Sequence, residues 1–182
     1  MSMFKTTCFS APLLALGLAL TSPLAMSQET LESPQLGRKI TPSELIELDL
    51  IASNESTLPA GSGTAFQGRE IYAAQCASCH GSDGSGGPAN QKLVGGNIKS
   101  TEDPVRTVGS YWPHGSTLFD YVRRAMPANA PKSLSDTEVY QVVAYVLFMN
   151  GLIDQYKIIN ADTLLSLKMP NAGGFIDMSA SH

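Results

Sequence analysis

The chain is 182 residues long, with 12 Lys and Arg against 16 Asp and Glu, a formal net charge of −4. That mild acidity argues weakly against nucleic acid as a partner. Cys76, Cys79, His114 and His182 lack the spacing of a zinc-finger set, which sets aside a structural zinc domain.

The first 27 residues read as a targeting segment. Lys5 is the only charge before Glu29, residues 11–20 form a short apolar run, and Ala25-Met26-Ser27 suits a cleavage site. The run is shorter than the roughly 20 apolar residues of a membrane span, so an uncleaved anchor is the lesser reading. Cys8 falls in the segment expected to be removed. Cleavage leaves about 155 residues, one domain's worth, exported to the periplasm and not integral to the membrane.

Residues 28–37 read as a flexible polar lead. Thr41, Pro42 and Glu44 carry the marks of a helix start, with a cap, a first-turn proline and a capping box, and predict a helix over 44–51. A turn-rich stretch through Pro59, Gly61 and Gly63 follows. The second predicted helix covers 64–77, with Phe66, Ile71, Tyr72 and Ala74 as its apolar side. The glycine-rich stretch after it, 81–88, is no phosphate loop, because no Gly-Lys-Ser/Thr follows and no strand precedes it. Its glycines instead let backbone pass close to a flat ligand. A third helix is predicted over 116–124, with Leu118, Phe119 and Val122 on its apolar face, ended by Met126-Pro127. The fourth starts at a Ser135–Glu138 capping box and closes at Asn150-Gly151. Val139, Val142, Val143, Val146 and Leu147 line one face, and Tyr145, Phe148 and Met149 make its end apolar nearly all round, so it is expected to be buried on several sides. Residues 153–182 show little periodicity and read as a tail wrapping the surface. No alternating strand stands out, and the predicted class is all-α. The implied organisation is a signal peptide (1–27), an N-terminal extension (28–63), a core domain (64–151) and a wrapping tail (152–182).

The chemistry sits in Cys76-Ala77-Ser78-Cys79-His80. C-x-x-C-H is the attachment pattern of a c-type haem: two thiols for thioether bonds and an imidazole for the iron. The rival, a thioredoxin-like dithiol, expects a βαβ context that is missing here. Cys76 and Cys79 are also the only cysteines after the targeting segment, so no thiol is left over for a disulfide. His80 is the expected proximal ligand. For the sixth position Met126 stands first, in a loop held by Pro127, since a thioether ligand raises the reduction potential and closes the iron to substrates. Met169, which also precedes a proline, and His114 are the alternatives, and Met149 reads as core packing. The haem propionates need donors, for which Trp112, Arg123 and Arg124 are candidates. For the two arginines a solvated helix face competes.

Gly68, Tyr72, Cys76, Cys79, His80, Met126-Pro127 and Tyr145 together resemble the class I cytochrome c pattern over about residues 64–151. In that family the first and last helices cross at a glycine and an aromatic, here Gly68 and Tyr145. The runs GRKITPSEL, LPAGSGTAFQGREIY, WPHGSTLFDYVRRAMP, SLSDTEVYQVVAYVLFMNGLI and KMPNAGGF are similar to the SoxD-like cytochrome subunit of sulfite dehydrogenase-type sulfur-oxidation complexes. The resemblance implies a non-catalytic electron-transfer subunit carrying one covalent haem c. Its implied partners are a molybdenum sulfite dehydrogenase-like subunit as electron donor and a downstream cytochrome or oxidase as acceptor. Some relatives carry two haem domains, whereas this chain has a single C-x-x-C-H. Two other readings are a soluble shuttle with no fixed partner and a haem enzyme such as a peroxidase; Met126 argues against the second, which needs an open sixth position. The segments flanking the haem domain are expected to dock the catalytic subunit.

Overall fold

The computed structural model describes residues 37–48, 51, 58–87, 92–102, 104–176 and 178. The signal-peptide expectation therefore lies outside the described residues. The chain divides into two units, Met1–Lys39 and Ile40–His182; only 37–39 of the first are described, and among the described residues every helix and strand belongs to the second. In chain order the second unit holds α1 (Pro42–Glu47), β1 (Ser62–Gly63), α2 (Ala65–Gln75), α3 (Ala77–His80), α4 (Gly115–Ala125), α5 (Asp136–Met149), β2 (Ile159–Asn160) and α6 (Ala161–Leu165). The expected all-α class holds; the only strands among the described residues are two residues each, paired antiparallel with Ser62 opposite Asn160 and Gly63 opposite Ile159.

Local side-chain chemistry starts these helices. At α1 the Glu44 carboxylate accepts from the Thr41 amide at 2.9 Å, and the Thr41 hydroxyl accepts from the Glu44 amide at 3.3 Å. At α2 Thr64 and Gln67 make the same reciprocal pair, and at α5 Ser135 and Glu138 do so. Each box satisfies two of the amide donors that a helix start leaves without partners.

The core sits between α2 and α5. Seven of the fourteen residues of α5 are buried, among them Val139, Val142, Val143, Val146 and Leu147 as expected, together with Tyr140 and Ala144. The Tyr140 hydroxyl donates to the Pro59 carbonyl at 2.9 Å, and its ring lies 4.4 Å from that of Phe119. On α4 the expected face of Leu118, Phe119 and Val122 is buried. Of the expected face of α2 only Tyr72 is fully buried, in line with Ala65 and Gly68 at i, i+3 and i+7. Ile71 is partly buried, Ala74 is exposed, and Phe66 is 56% exposed and lies against Tyr156, ring centroids 5.9 Å apart. α2 meets α5 backbone to backbone at Gly68, and one turn on the Tyr72 ring packs against that of Tyr145, centroids 5.1 Å apart. A Cβ on Gly68 would overlap the carbonyl of Gln141 and come within 3.0 Å of the Tyr145 Cβ, so the crossing lies at the expected glycine and aromatic.

The tail is more deeply built in than its lack of periodicity suggested. Ile159, Leu164 and Met169 are fully buried, and the Phe66 amide donates to the Gln155 carbonyl at 3.0 Å, satisfying a donor in the first turn of α2. α6 starts at an Asn160–Thr163 box, with Thr163 N–H donating to Asn160 Oδ1 at 2.9 Å. Among the described residues no helix is long and apolar enough to cross a membrane.

Helix propensity alone predicts that Gly68→Ala stabilises α2 by about 1 kcal/mol. The overlap with Gln141 forces the helices apart, an overpacking cost of about 1–3 kcal/mol or more. The expected net result in a denaturant titration is destabilisation; a more stable variant would mean that the two helices are not in close contact. A second expectation concerns pH. Hydrogen bonds from the Ser135 hydroxyl and amide hold the Glu138 carboxyl below its ordinary value. That contribution is present above the unfolded-state value and is lost as pH falls through the lower folded-state value. Glu138→Gln should therefore flatten the acid limb of the stability profile, and an unchanged limb would count against the box.

Candidate functional site

Cys76 ends α2, and the chain turns at once into the single turn of α3. The His80 and Cys79 amides both donate to the Cys76 carbonyl, at 3.0 and 3.2 Å. Cys76, Cys79 and His80 thus stand at i, i+3 and i+4, on one helical face. The loop after His80 folds back tightly: the Gly86 amide donates to the His80 carbonyl at 2.9 Å, and the Tyr72 hydroxyl donates to the Gly81 carbonyl at 2.8 Å. At Gly87 a Cβ would collide with the Cys79 carbonyl, so the close approach that requires a glycine here is to the chain's own backbone.

This face lines a cavity of about 520 Å³, within the size range of cofactor sites. Leu118, Tyr121, Val122 and Met126 line it from α4 and its end, Val142 and Val146 from α5, and Leu93, Val108 and Trp112 from the long connection between α3 and α4. Met126 caps α4 in extended conformation, its amide still donating to Val122 at 3.1 Å, so that its side chain leaves the helix at the cavity. The connection is pinned from below. Thr107 Oγ1 donates to the Gly95 carbonyl, Ser110 Oγ to the Val105 carbonyl at 2.8 Å, and Asn150 Nδ2 to the Leu93 carbonyl at 3.1 Å. Polar groups enter at Lys92, Arg106 and Asn129.

Five of the six expected site residues, Cys76, Cys79, His80, Met126 and Trp112, line this one cavity. Arg123 does not. Its Nε donates to Asp136 at 2.7 Å, beside a separate groove of about 340 Å³. Arg124 pairs with Asp120 at 2.7 Å and donates to the Leu48 carbonyl at 2.8 Å. Successive helical residues are turned by about 100°, so with Leu118, Tyr121 and Val122 on the cavity side, positions 123 and 124 turn away. The cations that do line the cavity, Lys92 and Arg106, were missed because they lie in irregular loops where no periodicity assigns a face. Tyr121 and Asn129 were missed too; Tyr121 is half-exposed and meets Trp112 edge-on, ring centroids 5.6 Å apart. Of the alternative sixth ligands, Met169 is buried in the core and His114 does not line the cavity; Met149, read as core packing, does not line it either.

Burial, with a smaller contribution from Cys79, pushes the Cys76 thiol up to about 11. Burial also pushes the Tyr72 hydroxyl up to about 12, which keeps it a neutral donor to Gly81. Two thiols and an imidazole on one helical face, a thioether on another element, apolar walls and two cations fit a flat apolar macrocycle with anionic substituents. Among the described residues no group of three or more His, Cys, Asp or Glu side chains could hold a separate metal ion.

Comparison with known proteins agrees. The sequence model of the family "Cytochrome C oxidase, cbb3-type, subunit III" matches residues 63–146. Thiosulfate dehydrogenase of Stutzerimonas stutzeri is 35% identical over 105 residues, covering 55% of this chain and 32% of the relative. The cbb3-type cytochrome c oxidase subunit FixP of Azorhizobium caulinodans is 30% identical over 110 residues, covering 57% and 33%. The chain thus spans about a third of the length of the curated relatives it matches. A chain of the sulfane dehydrogenase SoxCD from Paracoccus pantotrophus superposes with a TM-score of 0.70 at 33% identity, over 82% of this chain and 75% of that one. The chain belongs to the class I c-type cytochromes, haem c electron-transfer proteins, and resembles the SoxD-like cytochromes of sulfur-oxidising dehydrogenase complexes.

Proposed function

We propose that the protein is a periplasmic monohaem cytochrome c that accepts single electrons from a molybdenum sulfite dehydrogenase-like partner and delivers them to a downstream cytochrome or oxidase. The observation that carries this reading is the single cavity lined by Cys76, Cys79, His80 and Met126. Cys76 and Cys79 would hold the haem through thioethers, and His80 and Met126 would bind its iron. When bound, the haem supplies a one-electron couple at its iron. The chain's own residues then set the conditions for that couple. Met126 would offer a thioether to the iron, which would favour the reduced state. Leu93, Val108, Leu118, Val122, Val142 and Val146 keep water from the walls. Tyr72 holds the loop that follows His80 through the Gly81 carbonyl. Support for a sulfur-oxidising partner comes from the two relatives named for thiosulfate and sulfane oxidation. The match to an oxidase-type cytochrome domain supports the acceptor side, and also a second reading, a shuttle with no fixed dehydrogenase.

Met126→Ala is expected to abolish the low-spin, methionine-type visible spectrum while the haem stays covalently attached. Retention of that spectrum would transfer the sixth position to another residue. For the partner, the purified oxidised cytochrome is mixed with periplasmic extract of the source organism and then with sulfite, with thiosulfate in parallel. Extract-dependent appearance of the reduced-haem band on adding sulfite is the expected result. Reduction by thiosulfate alone would reassign the substrate, and a response to neither would favour the general shuttle.

A further inference from the structure

Three layers of side chains connect the C-terminal segment to the cavity. The Arg106 guanidinium, which lines the cavity, lies 5.1 Å from the centre of the Tyr111 ring. The Phe175 ring meets Tyr111 edge-on, with centroids 5.2 Å apart. The backbone of Tyr111 is held at both ends: its amide donates to the Thr107 carbonyl at 3.0 Å, and its carbonyl accepts from Asn171 Nδ2 at 2.7 Å. Asn171 lies in the turn closed by the Ala172 amide, which donates to the carbonyl of buried Met169 at 3.1 Å. An arginine side chain on a loop has many rotamers, and stacking on an aromatic face removes most of them. The ring under this arginine is fixed not by its own loop alone but by a segment about 60 residues further along the chain.

We propose that the C-terminal segment is a brace that positions Arg106 at the rim of the haem cavity, with Asn171 and Phe175 as its contacts, and so raises the reduction potential. The inference rests on the haem reading given above. A cation held near the iron disfavours the oxidised state, which carries one more positive charge, and the effect falls as the cation becomes mobile and solvated. Asn171 and Phe175 are positioning residues: they act on the couple only through Tyr111 and Arg106.

The test is a set of midpoint potentials, measured spectroelectrochemically on full-length holo-cytochromes that retain the methionine-type spectrum. Arg106→Gln is expected to lower the equilibrium constant for reduction by up to about tenfold, about 59 mV for a one-electron couple. Arg106→Lys should recover part of that loss. Asn171→Ala and Phe175→Ala should each lower the constant by less, and neither should lower it further in the Arg106→Gln background. Phe175 is half-exposed, so its truncation leaves folding intact. Three results overturn the proposal: no shift in Arg106→Gln, no shift in either tail variant, or tail shifts of the same size whether or not Arg106 is present. A tail that only stabilised the fold would lower the melting temperature without this non-additivity. An unsubstituted protein that carries no haem overturns the haem reading and this proposal with it, and its missing spectrum distinguishes that failure from the other three.

Discussion

The contact on which the rest of the structure depends is the crossing of α2 and α5 at Gly68 and Gln141. Without a side chain at position 68 the two backbones approach closely enough for the Gln141 carbonyl to occupy the space a Cβ would need. The crossing fixes the axis of α2, and because Cys76 is the cap of that helix, it fixes where the two thiols and His80 stand. It equally fixes α5, whose Val142 and Val146 line the same cavity. One steric fact thus places both the attachment face and part of the wall that faces into the cavity.

The cavity combines two environments. Aliphatic, aromatic and thioether side chains together make most of the lining, while Lys92 and Arg106 come from the irregular connection between α3 and α4. That connection has little regular hydrogen bonding of its own. Side chains add to its order: Thr107, Ser110 and Asn150 donate to the carbonyls of Gly95, Val105 and Leu93. The polar contribution to the site is therefore as well anchored as the helical one, by different means.

Much of this was legible in the residue order. C-x-x-C-H is a local pattern whose chemistry depends on spacing alone, and Thr64, Ser135 and Glu138 announce helix starts by bonds within three residues. Met126 was legible because a helix ending in Met-Pro has little freedom in where it releases its methionine. Arg123 was misplaced because its face depends on the register of α4 against α5. The apolar side of α2 was read correctly at Tyr72 and misread at Phe66, because the close approach at Gly68 turns the line through Ala65, Gly68 and Tyr72 inward. The burial of Ile159, Leu164 and Met169 was hidden because turns and one short helix carry no period. In each case the missing information was a long-range contact.

The two-residue ladder between β1 and β2 has a consequence for where the haem domain can be cut. Gly63 pairs with Ile159 just before α2 begins, and the first turn of α2 gives an amide to Gln155. A fragment trimmed to residues 64–151 would retain every group lining the cavity from α2 to α5. It would nevertheless leave the head of its first helix without that acceptor and uncover the apolar surface on which Ile159 and Leu164 rest. The chain closes around its cofactor domain like a clasp, joining the residues that precede α2 to those beyond α5.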